Sequence, residues 1–396
     1  MFVYLDNSAT TRQAEEVTKA EIEAIENVFG NPSSLYRLGL EAEKFIRECR
    51  SRAAKLISSS PEEIYFTSGG TESDNTAVYG AVRALRRQGK RIITTEIEHP
   101  AVLECFADLE AQGMEVIRIP VDSDGIIDKK AFTEALSDDT ILVSVMHVNN
   151  ETGAVQPVGE LGRLIREKTR ALFHCDAVQS YGKIPIDVKK AGIDLLSASG
   201  HKIHGPRGTG ILYVSGKTRI LPLIRGGGQE KGLRSGTENV PGIAGFARAS
   251  ELAAEGMEDH LAHVRALSSR LIEGIQTSIA EVSINGPERE GDPGIGRWLP
   301  YIVNVSFADC RSEVLLHMLE QRGICVSTGS ACSSHKKGYS HVLKAMGAGP
   351  ERAEGAVRFS LSPYNTEDEI DYALEILRSV VEEHRKMMSI ARRMGR

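Results

Sequence analysis

The chain has 396 residues, 41% of them hydrophobic and 26% charged, which suits about two to three domains with a core that needs no staples. Its 54 acidic and 48 basic residues leave a net charge of −6, a balance that argues against a broad face for gripping nucleic acid or an anionic membrane. No apolar run approaches the ~18 residues of a membrane span, and the six cysteines, at 49, 105, 175, 310, 325 and 332, show no CxxC pair and no metal-finger spacing.

In chain order, the N-terminus MFVYLDNSATTRQ lacks the basic start and apolar stretch of a signal peptide, so a soluble, cytoplasmic enzyme-sized protein is expected. Ala42, Phe45, Ile46, Cys49, Ala53 and Leu56 then trace one apolar face of a helix. From about residue 60 to 215, EEIYFTSGG, RIITTEIEH, EVIRIPVD, TILVSVMHVNN, LFHCDAV, DLLSASG and GTGILYV each read as a short, buried strand. Helical segments separate some of them, as Leu161, Leu164 and Ile165 show. Strands alternating with helices predict a mostly parallel sheet covered on both faces.

After the Gly-rich RGGGQEKGLRSGTEN the pattern changes. A long helix is expected from about 243 to 280, then the polar loop PEREGDPGIGRW, a YIVNVSF strand, a helix through EVLLHMLEQRG, and the ICVS and VRFSLS strands. Thr366 and Glu369 have the spacing of a capping box, and Ile370, Leu374, Leu377 and Val381 share one face of the last helix. Its basic end, ARRMGR, suits a helix C-terminus. A large α/β domain followed by a smaller α+β domain is the expected architecture.

Chemistry gathers at strand ends. Lys202, in SASGHKIHGPRGTG, follows a strand among glycines and histidines, where an amine has the backbone room to form a Schiff base; the alternative is a surface turn with an incidental lysine. Asp176, in FHCDAVQS, ends an apolar strand with Gln179 three residues on. It reads either as a helix N-cap or as a carboxylate for a protonated pyridine nitrogen in the crevice at the strand ends. Gly69, Gly70 and Thr71 open a helix with unpaired N–H groups and a hydroxyl, a place for phosphate. His99, in EIEHPAVL, is either a capping side chain or a ring that stacks on a flat cofactor. Lysine, acid, phosphate turn and stacking ring are together the parts a pyridoxal-phosphate enzyme needs.

At these residues the chain resembles the cysteine desulfurases of the class V aminotransferase group, of pyridoxal-phosphate fold type I. The likeness runs nearly end to end, through YLDNSATT, GNPSS, SGGTESDN, EHPAVL, HVNNETGAVQP, HCDAVQS, SGHKIHGP, RSGTEN, STGSACSS and VRFSLS. It implies a large cofactor-binding α/β domain over 13–257, with a mostly parallel mixed sheet between helices. Residues 1–12 and 258–396 would then form the small α+β domain carrying the Cys332 loop.

The resemblance further implies that Lys202 holds pyridoxal 5′-phosphate, Asp176 pairs with its ring nitrogen and Gln179 bonds its ring hydroxyl. Gly70, Thr71, Ser199 and His201 would hold the phosphate, with Thr237 reaching across from the other subunit of a homodimer. His99 would stack over the ring and relay protons, and Asn150 and Arg358 would bind the carboxylate of L-cysteine. A planar two-pronged guanidinium fits a carboxylate well.

Cys332 selects the reaction. Gly329, Ser330, Ala331, Ser333 and Ser334 neither bury it nor stiffen the chain, and His335, Lys336 and Lys337 favour its thiolate. In the family such a cysteine takes sulfur from L-cysteine, leaving L-alanine and a persulfide, and can also ligate an iron–sulfur cluster shared with a scaffold. The acceptor would be an iron–sulfur scaffold, a tRNA-thiolation enzyme or a sulfur carrier; no membrane and no direct nucleic-acid partner is expected. The long stretch from Cys332 to Val342 resembles the branch whose loop swings out to a scaffold. Arg12 departs from the family's usual proline without chemical consequence, and the 287–298 loop is longer than expected. A selenocysteine lyase or a transaminase shares the lysine, acid and phosphate turn. A non-catalytic subunit would have no need of Lys202, Asp176, His99, Arg358 and Cys332 together.

Overall fold

The computed structural model describes residues 1–288, 296–328 and 339–394. Within them lie strands β1 (Val3–Tyr4), β2 (Ile64–Thr67), β3 (Arg91–Thr95), β4 (Glu115–Ile119), β5 (Thr140–Ser144), β6 (Leu172–Asp176), β7 (Leu195–Ser199), β8 (Gly210–Val214), β9 (Val282–Asn285), β10 (Ile302–Phe307), β11 (Ile324–Cys325), β12 (Ser327–Thr328) and β13 (Ala356–Ser360).

The seven runs read as strands between residues 60 and 215 all join one sheet, ordered β2-β8-β7-β6-β5-β3-β4. Strand β8 runs antiparallel to both of its neighbours and the remaining pairs are parallel. Successive side chains explain why the central runs are mostly apolar rather than strictly alternating. Ile93, Val143 and Leu196 enter the core on one face, while Ile92, Leu142 and Leu195 enter the core on the other, so both faces are shielded from water. The helices Gly70–Leu85 and Pro100–Ala111 cover the second face, and Arg37–Lys55 and Val158–Lys168 the first.

A four-stranded sheet, β12-β13-β10-β9, and the parallel pair β1-β11 make up the rest. The ICVS run, expected as one strand, divides at Val326. Ile324–Cys325 pairs with β1, whereas Ser327–Thr328 pairs with β13, because the two halves serve different sheets. The Val240–Ser278 helix holds both parts of the chain. Val240, Ile243, Phe246 and Ala247 pack into the core of the large sheet, and Val264, Leu267, Leu271 and Ile275 into the core of the small one.

The final helix, Glu367–Met394, starts as the capping box predicts. Thr366 N–H donates to Glu369 Oε2 at 3.0 Å and Glu369 N–H donates to Thr366 Oγ1 at 3.2 Å. Ile370, Leu377 and Val381 are buried on its inner face, with Leu374 packed beside them. Among the described residues no helix is long and apolar enough to cross a membrane.

The N-terminal segment is the seam between the two sheets. Beyond β1, Asp6 bridges Ser360, and Asn7 Nδ2 donates to the Ser360 carbonyl at 2.9 Å. The next residues, Ser8 and Ala9, present their carbonyls to Lys202 of the large sheet.

Candidate active site

The ends of β2, β6 and β7 place Thr67, Asp176 and Ser199 at one edge of the large sheet, where an open α/β sheet keeps its ligand crevice. Lys202 ends the short helical turn Gly200–Lys202 that follows β7. Its Nζ donates to the Ser8 carbonyl and, at 2.8 Å, to that of Ala9.

Asp176 is buried, and its Oδ1 accepts the Val178 N–H at 2.9 Å. Burial pushes its carboxyl up to about 6, while the Val178 N–H and the Lys202 charge pull the other way. Asp176 caps a turn rather than a helix, and it is a buried acid within the field of Lys202. Behind it, the fully buried Asp74 lies 3.5 Å from His174 Nε2. Burial and the neighbouring Asp176 hold the Asp74 carboxyl well above its ordinary range. Sequence reasoning misses Asp74, although it sits in the same SGGTESDN run as Gly70 and Thr71.

Gly69, Gly70, Thr71, Ser199 and His201 converge, with Thr10 and Arg207, on an open cavity of about 350 Å³. Gly69 has φ +152°, and a Cβ on Gly70 would come within 2.7 Å of Val178 Cγ2. Only a bare backbone leaves the cradle open here. The Gly70–Leu85 helix begins at this point, so its first N–H groups have no intrahelical acceptor. Ser199 Oγ is buried and makes no hydrogen bond among the described residues. An orphaned hydroxyl, a helix N-terminus and the Arg207 cation fit a phosphate group. Arg207 is a second residue that sequence reasoning misses, though GPRG places it five residues past Lys202.

Of the two roles considered for His99, the cap is present: the residue is the N-cap of the Pro100–Ala111 helix, and its Nδ1 accepts the Ala101 N–H at 3.1 Å. An accepting Nδ1 puts the proton of the neutral ring on Nε2. Burial lowers the pKa of His99 to about 4, helped by the charges of Lys202 and His341. This folded value lies below the 6.5 of the free side chain, so the unfolded chain binds the proton first as the pH falls. The corresponding stability is complete above pH 6.5 and is lost between 6.5 and about 4. In cofactor-free protein, the His99 ring signals should stay unshifted in an NMR titration from pH 8 to about 5.5. A midpoint near 6.5 would contradict the neutral, Nε2-protonated ring.

Arg358 is no surface arginine: it is 4% exposed, on β13. Nη1 donates to the Asn150 carbonyl at 2.9 Å and Nη2 to Asp6 Oδ1 at 2.8 Å. The resemblance brings Asn150 and Arg358 together but leaves out Asp6, whose pairing spans nearly the whole chain. Gln179 lies between two partners: its Nε2 donates to the Ser8 carbonyl at 3.0 Å and its Oε1 accepts from Lys183 Nζ at 3.1 Å. Thr237 is exposed, and among the described residues it does not line the cradle of its own chain. Cys332, with most of the 287–298 loop, lies outside the described residues. Among the described residues, no three His, Cys, Asp or Glu side chains are grouped to hold a metal ion.

The profile of the family described as "Aminotransferase class-V" matches residues 3–373. The chain belongs to the class-V aminotransferases. Among the relatives of this class-V chain is a protein named cysteine desulfurase IscS from Clostridium botulinum, 45% identical over 97% of this chain and 96% of its own length. A solved structure titled NifS-like protein superposes with a TM-score of 0.89 at 41% identity, covering 96% of this chain and 100% of that one. A second, titled SspA in complex with cysteine, has a TM-score of 0.80 at 33% identity over 92% of this chain and 100% of that one. The large α/β unit and the mixed seven-stranded sheet expected from the sequence are those of this class.

Proposed function

We propose that this class-V aminotransferase is a cysteine desulfurase that uses pyridoxal 5′-phosphate and leaves the sulfur of L-cysteine as a persulfide on Cys332. The observation that carries the reading is the crevice itself. A lysine whose charge acts on both a buried acid and a neutral histidine stands beside an open cradle with an orphaned hydroxyl. Residues 13–257 form the cofactor-binding unit in this reading, and 1–12 with 258–396 form the small one.

When bound, the cofactor supplies an electron sink for charge at the substrate α-carbon. Gly70, Thr71, Ser199, His201 and Arg207 hold its phosphate, Asp176 pairs with its ring nitrogen and Gln179 donates to its ring oxygen. Thr237 of a second copy completes the cradle in a homodimer. Arg358 and Asn150 bind the substrate carboxylate; the Asp6 pairing fixes the guanidinium plane for that contact. Lys202 would hold the cofactor covalently, and the same amine, once free, would take the α-proton. His99 offers its Nε2 proton towards the sulfur side of the substrate.

The Cys332 thiolate then attacks the substrate sulfur. An S–S bond forms, the C–S bond breaks, and the departing carbon takes protons to become L-alanine. Cysteine plus thiol thus gives alanine plus persulfide, with no external oxidant or reductant. The persulfide passes to a protein acceptor such as an iron–sulfur scaffold, in the cytoplasm.

Purified protein given L-cysteine, with and without dithiothreitol, tests this. Alanine stoichiometric with one sulfur atom added to the Cys332 peptide is the expected result, with sulfide released by the thiol. Alanine formed only from selenocysteine, or amino-group transfer to an oxo acid without loss of sulfur, would overturn it in favour of a lyase specific for selenium or a transaminase.

A further inference from the structure

A second lysine stands beside the site, and the chemistry above makes no use of it. Lys183 is 7% exposed, and its Nζ lies 3.1 Å from Gln179 Oε1 and 5.5 Å from the centre of the Tyr301 ring. It lines a small cavity of about 40 Å³ together with Lys202, Asn7, His204, His260 and Tyr301. Burying an ammonium group with no carboxylate costs several kcal/mol or neutralises it, and among the described residues Lys183 forms no ion pair. The groups that face it are basic or neutral. Lys202 and His201 come from the turn after β7, His204 from just beyond it, Arg358 from β13 and His260 from the Val240–Ser278 helix. Tyr301, before β10, adds only its ring face.

The hydrogen bonds run in one direction. An ammonium can only donate, so when Lys183 is protonated the end of the Gln179 amide that faces it is the oxygen. A carbonyl can only accept, so the other end, facing Ser8, must be the NH2 group, and that same Ser8 carbonyl accepts from Lys202. Lys183, Gln179, Ser8 and Lys202 form one chain of contacts between two cations.

We propose that Lys183 is a positioning residue that holds Gln179 in the orientation presenting its NH2 group to the site, and adds positive charge beside Lys202. This rests on the pyridoxal-phosphate reading above. With its oxygen occupied, Gln179 has only hydrogens to offer a ring oxygen, and a donor there favours the anionic oxygen. Both effects disfavour a proton on the Lys202 nitrogen. The burial of Lys183, with the charges of Lys202 and Arg358, lowers its own pKa to about 7, so its contribution is strongest on the acid side of neutrality.

The test is the pH midpoint of the visible absorption band of the protein loaded with pyridoxal 5′-phosphate, read without substrate. Lys183→Met should raise the midpoint by about one pH unit, Lys183→Gln should do the same, and Lys183→Arg should return it towards the parent value. A purely structural lysine would lower the melting temperature and leave the midpoint alone. An unmoved midpoint in a soluble Met or Gln variant overturns the role of Lys183 and leaves the cofactor reading intact. A parent protein that binds pyridoxal 5′-phosphate without any visible band overturns both.

Discussion

Lys202→Ala should abolish turnover of L-cysteine, by on the order of 10⁴-fold or more, because in the proposed function one nitrogen both holds the cofactor and moves the α-proton. The visible band of the loaded protein disappears with it. The fold should survive, since the substitution removes two hydrogen bonds to the Ser8 and Ala9 carbonyls at the seam, together about 1–3 kcal/mol. Part of the low pKa of His99 comes from the Lys202 charge, so the variant also raises the titration midpoint of His99. That shift, read by NMR, separates a correctly folded variant from a misfolded one. Retained desulfuration with an intact far-ultraviolet spectrum would sink the assignment of Lys202.

Cys332→Ala should leave the visible band in place while persulfide and sulfide fall by at least on the order of 10²-fold. That magnitude follows from the cysteines left behind. Cys49, Cys105, Cys175 and Cys310 are buried. Burial pushes the thiols of Cys49 and Cys105 up to about 11 and about 12, and raises those of Cys175, Cys310 and the half-buried Cys325. Near pH 8 a thiol of pKa 11 holds on the order of 10²-fold less thiolate than an ordinary one, so Cys49 and Cys105 cannot stand in, and burial works against the other three. Full sulfide release by the variant, measured with dithiothreitol present, would show that Cys332 is not the nucleophile.

What the sequence discloses, and what it hides, divides by range along the chain. The strands of the large sheet are legible because their burial on both faces demands unbroken apolar runs, as at Ile92–Ile93 and Leu195–Leu196. The capping box at Thr366 and Glu369 is legible because both bonds close within one turn. Strand β1, only two residues long, carries no periodicity to read. The pairing of Arg358 with Asp6 and the seat of Lys202 on Ser8 join residues some hundreds of positions apart, and no local pattern encodes either.

The site residues follow the same rule. Lys202, Asp176, Gly70 and His99 are visible because each sits beside a strand end with turn chemistry around it. Asp74 and Arg207 escape notice, since an acid inside a helix and an arginine in a turn look ordinary until burial or the cradle is known. Lys183 has a readable signal: it stands four residues after Gln179 in the QSYGK run. The two readings of His99, cap and catalyst, compete in the sequence alone. Its two ring nitrogens let both be true, because the cap consumes Nδ1 and leaves Nε2.

The seam formed by residues 3–9 has a consequence for how the molecule is made. Ribosomal synthesis delivers these residues long before their partners: Val3 waits for Ile324, and Asp6 and Asn7 wait for Ser360. The large sheet can collapse as soon as β8 emerges, but the carbonyls that seat Lys202 are not yet fixed in place. A large sheet that folds before Ser360 emerges therefore carries Lys202 without the Ser8 and Ala9 carbonyls fixed against it.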